Sequence, residues 1–295
     1  MQTFIGALIN GLALGMAYAL IAVGYSMVFG VLRLINFSHS AVYAFGAYMV
    51  YFFVSLKFGL FPAILLAVVL SGLLALTIDK VALEPLRKKK SMPIATLITT
   101  IGMSFIIQNL LSIEYVFGSE KRGFPSLNLF GNIIIGNITI QSSQIIMLVV
   151  AMILLAILTF IVQKTKVGLA MRATEQNQKA AQLMGINVNS VISVTFFIGG
   201  ASAAIAGALI GGYYQVISPT MGSMIGLKAF AAAVVGGIGI LYGSVVGGLV
   251  IGVAECFAAQ YLGSNVRDPM AFVILILILI IKPVGLFGKK GISKV

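Results

Sequence analysis

Few side chains in this sequence are able to carry catalysis. The 295 residues include one histidine, His39, one cysteine, Cys256, and two aspartates, Asp79 and Asp268. A nucleophilic triad or a metal centre needs several such groups at one site, and these residues are too few and too scattered to form one. We interpret His39 as part of a polar turn. The sequence therefore predicts no catalytic residues, no metal site and no enzymatic activity.

Two charged residues lie inside apolar runs. Lys228 is near the start of one run and Glu255 is within the next. If these runs form a hairpin that turns near Tyr242, Glu255 lies within about one helical turn of Lys228, and pairing lowers the cost of two intramembrane charges. We therefore predict an intramembrane ion pair between Lys228 and Glu255. A carrier driven by protons or sodium usually has several intramembrane acids, so a single one weighs against that class.

The composition places these residues in a membrane. The chain is 60% hydrophobic and 9% charged, with a mean hydropathy of +1.11. A soluble domain is about half apolar and about a quarter charged. Soluble enzymes, nucleic-acid-binding domains, disulfide scaffolds and disordered chains are thereby excluded. The long apolar runs are 4–31, 39–56, 60–80, 94–117, 144–163, 191–214, 226–241, 243–262 and 270–287.

These runs predict an all-α polytopic membrane protein. Its single transmembrane domain covers residues 1–295, with about eight or nine transmembrane or re-entrant helices. Runs 226–241 and 243–262 are short and rich in glycine, so either is a full span or a re-entrant segment. If each run crosses once, fourteen of the nineteen Lys and Arg residues lie on one side. The positive-inside rule then puts the C-terminus in the cytoplasm and the N-terminus outside, and it accounts for the net charge of +12 without nucleic acid.

The longest loop on the outer side covers residues 118–143. Apolar residues alternate from Ile133 to Ile140, which is compatible with a short hairpin or a surface helix. A loop of this length often has a task of its own, such as receiving a partner.

The cytoplasmic segment 166–190 is predicted to contain a docking helix. Residues 169–184 have helix-forming composition, and Gly185 follows where a C-cap glycine is expected. An ordinary solvated loop helix is the simpler alternative, but a short connection between two spans would normally suffice. The helix offers one face for a groove on another protein. Its two sides are Leu169, Ala173, Ala180 and Met184, and Arg172, Gln176 and Lys179.

Two interrupted segments, one in each half of the chain, are candidates for a transport pathway. The first runs from Gly24 to Ser40 and the second from Gly222 to Gly243. Paired broken helices are typical of a pathway near the membrane midplane, although the same glycines also allow tight turns. The predicted substrate-pathway residues are Asn36, Ser38, His39, Gly236, Gly237 and Gly239.

Four stretches together carry a family resemblance along nearly the whole chain. They read GMAYALIAVGYSMVFGVLRLINFSHSAVYAFGAY (15–48), GLAMRATEQNQKAAQLMGIN (168–187), KAFAAAVVGGIGILYGSVVGGLVIGVAE (228–255) and KPVGLFG (282–288). The chain resembles the permease subunits of bacterial branched-chain amino acid ABC importers. No phosphate-binding GxxxxGK[ST] motif occurs, so the chain has no nucleotide site of its own.

The resemblance implies a multi-pass subunit of the bacterial cytoplasmic (inner) membrane, embedded in lipid. Its partners would be a second homologous permease in a heterodimer, two cytoplasmic ATPase subunits and an extracytoplasmic substrate-binding protein. No cofactor would bind this chain, because ATP and Mg²⁺ belong to the ATPases. The residues implied to couple to an ATPase are Arg172, Ala173, Asn177, Ala180, Ala181, Gly185 and Ile186.

The expected function is translocation of branched-chain or other hydrophobic amino acids. The chain departs from the family pattern at Ser40–Ala41 and at 240–242, which leaves the substrate open. A sister ABC permease for a sugar, a nucleoside or urea is the alternative. A passive channel or an ion-coupled secondary carrier fits less well, since neither needs a docking helix.

Overall fold

The protein is an α-helical bundle in the computed structural model, which describes residues 2–128, 130–135 and 138–288. Its helices are α1 (Gln2–Leu32), α2 (Ser38–Ser55), α3 (Leu60–Ile78), α4 (Glu84–Lys88), α5 (Pro93–Ser112), α6 (Ser142–Lys164), α7 (Lys166–Gln176), α8 (Gln178–Leu183), α9 (Val188–Tyr214), α10 (Met221–Gly236), α11 (Leu241–Tyr261) and α12 (Arg267–Ile281). A π-helical turn (Asp79–Leu83) joins α3 to α4, and a 3-10 turn (Ser264–Val266) precedes α12.

Seven of the described helices are long and apolar enough to cross a membrane. The 18-residue α2 is outside this set, and so is α10, which has 16 residues. The all-α, multi-pass class predicted from the sequence is confirmed. The seven are Thr3–Leu32, Leu60–Lys88, Pro93–Ser112, Ser142–Lys164, Val188–Tyr214, Leu241–Tyr261 and Ser264–Ile281.

Helix α1 lies at the centre of the bundle and packs against α6, α9, α10 and α11. Its contact with α11 depends on small residues. A Cβ atom on Gly252 would lie 2.3 Å from the Cα of Gly15, and one on Gly248 would lie 2.6 Å from the backbone nitrogen of Ala19. Small residues allow two backbones to approach closely in lipid, where burial of apolar side chains does not itself drive association.

Short strands tie the loops together at one end of the bundle. Strand β1 (Arg122–Gly123) pairs antiparallel with β4 (Val216–Ile217), which joins the α5–α6 loop to the α9–α10 loop. Strands β2 (Ile133–Ile135) and β3 (Ile138–Ile140) form an antiparallel hairpin with Ile133 opposite Ile140. The hairpin that the alternation of residues 133–140 allowed is therefore present, and residues 136 and 137 lie outside the described residues.

Helix α1 is continuous through Gly24 and Gly30, so the interruption expected between Gly24 and Ser40 does not begin at these glycines. The interruption falls at residues 33–37, between α1 and α2. The role of Gly24 in helix packing explains why α1 does not break at this residue. Gly24 leaves room for the His39 ring, since a Cβ atom there would lie 2.4 Å from Nε2. Gly24 therefore lets α2 approach α1 and does not bend it.

Candidate functional site: coupling segment and substrate pathway

The predicted coupling segment is two short helices rather than one. Asn177 adopts an extended conformation (φ −157°, ψ 107°) and separates α7 from α8. Its Oδ1 accepts a hydrogen bond from the backbone N–H of Ala180 at 3.1 Å, so Asn177 is the N-cap of α8. Thr165 caps α7 in the same way, through its bond from the Gly168 N–H. The preference of asparagine for cap positions therefore overrides the helix-forming composition of residues 169–184.

Gly185 ends α8 with a φ of +84°. The Gly185 N–H donates to the Gln182 carbonyl at 3.0 Å, and the Ile186 N–H donates to the Ala181 carbonyl at 3.0 Å. This pair of bonds is the Schellman motif, in which glycine at the left-handed position satisfies the last carbonyls of the helix. The glycine C-cap expected at residue 185 is present.

The exposed surface of the segment differs from the predicted faces. Leu183 and Met184 are 90% and 83% exposed and form an apolar tip, while Met171 and Ala181 are buried against the bundle. The break at Asn177 separates the two short helices, so residues spaced for one continuous helix, such as Leu169 and Met184, no longer define a single stripe.

Three side-chain bonds hold the segment to the bundle. The Arg172 guanidinium donates to the Val162 carbonyl at the end of α6. Arg33 Nη2 donates to the Glu175 carbonyl at 3.1 Å, and Gln178 Nε2 donates to the Val31 carbonyl at 2.8 Å. Burial raises the pKa of the Glu175 carboxyl, and the charge of Arg33 opposes that rise. These bonds join α7 and α8 to the C-terminal ends of α1 and α6.

The predicted pathway glycines form a turn near this segment. Gly237 and Gly239 have positive φ angles of 106° and 89°. Residues 285–288 lie across the turn, and the Phe287 N–H donates to the Gly236 carbonyl at 3.1 Å. A narrow cavity of about 30 Å³ separates Gly239 from Arg172 and Glu175 of α7. The glycines thus allow a tight turn that contacts the C-terminal segment.

The other predicted pathway residues lie at the start of α2. Asn36 Oδ1 accepts bonds from the Ser38 N–H at 3.1 Å and the Ser38 hydroxyl at 2.6 Å. The Phe37 N–H donates to Thr100 Oγ1 at 3.2 Å, and Thr100 is near the middle of α5. The backbone before α2 is therefore non-helical at a depth where α5 spans the membrane. Such backbone is tolerated where it is buried in protein or lines a cavity. Asn36, Ser38 and His39 are all buried there.

The two groups of predicted pathway residues contact different parts of α1. Gly239 packs beside Phe29 and Gly30, whereas His39 packs beside Gly24 and, in α9, Gly199. The edge of the His39 ring meets the Tyr25 ring at a centroid distance of 4.8 Å. The structure therefore does not bring Asn36, Ser38 and His39 together with Gly236, Gly237 and Gly239 at one site.

Lys228 and Glu255 belong to a larger charged cluster. Lys228 Nζ lies 3.0 Å from Glu255 Oε1 and 2.6 Å from Asp268 Oδ1. Arg267 Nε lies 3.6 Å from Glu255 Oε2, which also accepts a bond from the Tyr18 hydroxyl at 3.1 Å. Lys228 and Glu255 are buried, whereas the side chain of Asp268 is 54% exposed. The two acids and two bases balance one another.

The sequence interpretation missed Arg267 and Asp268, because both lie between the apolar runs 243–262 and 270–287. A signal was present, since Asp268 lies in the first turn of α12, where an acidic side chain is favoured by the helix dipole.

A second buried ion pair was also missed. Asp79 is fully buried, and its carboxylate accepts bonds from Arg87 Nη1 at 2.5 Å and from the Ser193 hydroxyl at 2.8 Å. Asp79 and Arg87 are eight residues apart and are joined through the π-helical turn between α3 and α4. The spacing of a regular α-helix therefore does not predict this ion pair. Because Asp79 binds both Arg87 of α4 and Ser193 of α9, it links these two helices.

No group of three His, Cys, Asp or Glu side chains able to hold a metal ion occurs within the ranges that the structure describes. The polar groups between the helices cap helix ends, surround the buried start of α2 and form a cluster of two acidic and two basic side chains with no net charge. Together with seven helices of spanning length, these features are those of a multi-pass membrane protein.

Comparison with known proteins identifies the family. The family described as branched-chain amino acid transport system / permease component matches residues 7–281. The chain belongs to this family, and the resemblance found in its sequence is confirmed.

Individual relatives agree with this assignment. The chain is 38% identical over 306 aligned residues to the high-affinity branched-chain amino acid transport system permease protein LivH of Salmonella typhimurium, covering 99% of this chain and 98% of the relative. The same figures hold for BraD of Pseudomonas aeruginosa, which has the same description. The ribose import permease protein RbsC of Haemophilus influenzae is 34% identical, but over only 34% of this chain and 33% of its own.

Proposed function

We propose that this chain is the permease subunit of an ABC importer and translocates branched-chain or other hydrophobic amino acids. The observation that carries the proposal is the 38% identity, over nearly the full length of both chains, to permeases named for that transport. The sugar alternative is the weaker candidate, because its matches are 34% identity over about a third of the chain and 29% identity over 66% of the chain.

The chain lies in the bacterial cytoplasmic membrane, with its N-terminus outside and its C-terminus in the cytoplasm. The distribution of Lys and Arg supports this orientation. In this arrangement the apolar tip at Leu183 and Met184 faces the cytoplasm, and the β1–β4 pair faces the exterior.

The partners are a second permease, two ATPase subunits and an extracytoplasmic binding protein that delivers the solute. An ATPase docks on α7 and α8, covering the apolar tip. ATP and Mg²⁺ bind the ATPases, and the permease itself is not catalytic. Closure of the ATPases pulls α7 and α8, and the bonds of Arg33, Arg172 and Gln178 transmit that movement to α1 and α6 in an alternating-access cycle.

The substrate is tested with the complete importer in proteoliposomes. Uptake of labelled leucine, isoleucine, valine, ribose and urea is measured with ATP inside and the binding protein outside. We expect ATP-dependent uptake of the three branched-chain amino acids and background uptake of ribose and urea. Uptake of ribose or urea in preference to leucine would contradict the proposal.

A further inference from the structure

An apolar groove of about 400 Å³ lies between α3, α6 and α9. Every residue that lines it is apolar, and its two walls come from the first halves of α3 and α6. Helix α9 packs against both of these helices and forms the floor. All three helices are long and apolar enough to span a membrane, so the groove lies at membrane depth.

The exposure of the lining residues decreases from the rim of the groove to its floor. Phe61 and Leu65 on α3 are 73% and 52% exposed, whereas Ala208 and Leu209 on α9 are 2% and 4% exposed. The groove therefore opens sideways, between the exposed surfaces of two spanning helices, and is closed towards the interior of the bundle.

Leu127 covers the end of the groove at the start of α3 and α6. This residue belongs to the α5–α6 loop, is buried and packs on α9. Gly212 makes room for it, since a Cβ atom there would lie 2.4 Å from Leu127 Cγ. An occupant therefore enters the groove from the side, out of the membrane, and not from the water at that end.

A close contact between α3 and α9 bounds the groove at its other end. A Cβ atom on Gly200 would lie 2.5 Å from the Ala75 Cβ and 2.6 Å from the Ser71 carbonyl oxygen. Small residues allow this approach of the two backbones. The groove lies beyond the contact, between residues 60–68 of α3 and 205–209 of α9.

The apolar lining selects a hydrocarbon occupant. Water does not fill such a space, because a buried water molecule needs polar partners. A zwitterionic amino acid would leave two charged groups without compensation. A spanning helix is about 10–12 Å in diameter and roughly 20 residues long, so it is several times larger than the groove. An empty groove would cost its lining residues their dispersion contacts on one side.

We propose that this groove binds one acyl chain of a membrane phospholipid. The chain enters between the exposed residues of α3 and α6, and its methylene groups pack on Ala208 and Leu209 beneath Leu127. A chain held there fills the space between α3 and α6 and supports both helices against α9. The site is independent of which solute the permease carries, so it stands or falls apart from the proposed function.

The first test counts the phospholipids that remain bound to the complete importer. The importer is extracted into mild detergent from vesicles of phosphatidylethanolamine and phosphatidylglycerol, and bound lipids are counted by native mass spectrometry. Val150 lines the groove, so Val150→Phe places an aromatic ring where the acyl chain would lie. We expect this variant to hold one phospholipid fewer than the wild type for each copy of this chain.

The neighbouring valine provides a matched control. Val149 is exposed and lies outside the groove, so Val149→Phe should hold as many phospholipids as the wild type. Val68→Phe in the groove and Val69→Phe outside it repeat the comparison on α3, in case Val150→Phe does not assemble. Equal lipid counts in the wild type and the assembled groove variants would overturn the proposal.

The second test locates the bound chain. The importer is reconstituted in vesicles that contain a phospholipid with a photoreactive diazirine on its acyl chain, and the cross-linked peptides are mapped by mass spectrometry. Because Ala208 and Leu209 are buried, adducts at these residues require a chain inside the groove. We expect such adducts in the wild type and in Val149→Phe, and their loss in Val150→Phe. A wild-type importer without adducts at residues 205–209 would overturn the proposal, and this is also the result expected if a partner subunit covers the groove.

Discussion

Lys228 is buried among groups of opposite charge, and its contribution depends on them. It contacts Glu255 and Asp268, while Glu255 also lies near Arg267. The positions of Lys228 and Glu255 follow from hairpin spacing along the sequence. Arg267 and Asp268 belong to a third helix, α12. The spacing of residues along α10 and α11 does not predict how α12 packs against these two helices.

The Lys228→Met variant should be strongly destabilised, because it leaves Glu255 buried with less compensation. Breaking a buried pair typically costs about 3–5 kcal/mol, whereas removal of both partners is often nearly neutral. We therefore expect a lower melting temperature in detergent for Lys228→Met, and substantial recovery in the double variant with Glu255→Gln. Lys57→Met, at an exposed lysine, is the control. A Lys228→Met protein as stable as the wild type would contradict this role.

At the scale of elements, the apolar runs predicted the helices well because the hydrophobic length needed to span a membrane is read directly from composition. The break at Asn177 was missed because cap hydrogen bonds compete locally with helix propensity.

Gly185 gives an element-scale prediction for coupling. A Cβ atom there meets nothing within 4 Å, so a substitution is strained only by its positive φ. A left-handed conformation costs most residues about 1–2 kcal/mol, and asparagine tolerates it best. Gly185→Glu should therefore raise the ATP hydrolysed per leucine imported while membrane insertion is normal, and Gly185→Asn should stay close to the wild type. Equal coupling in both variants would count against a docking role for α8.

At the scale of the whole molecule, the two ends of the bundle carry different structural elements. One end holds α7, α8 and the glycine turn at 237–240, and the other holds the β1–β4 pair. This arrangement suits a subunit that receives solute at one end and mechanical work at the other.

The central claim is that this permease moves solute only when separate ATPase subunits drive it. The most direct measurement compares leucine uptake into proteoliposomes that hold the complete importer with uptake into matched proteoliposomes that lack the ATPases. We predict ATP-dependent accumulation in the first and background uptake in the second. Sustained leucine uptake into the proteoliposomes that lack the ATPases would contradict the account.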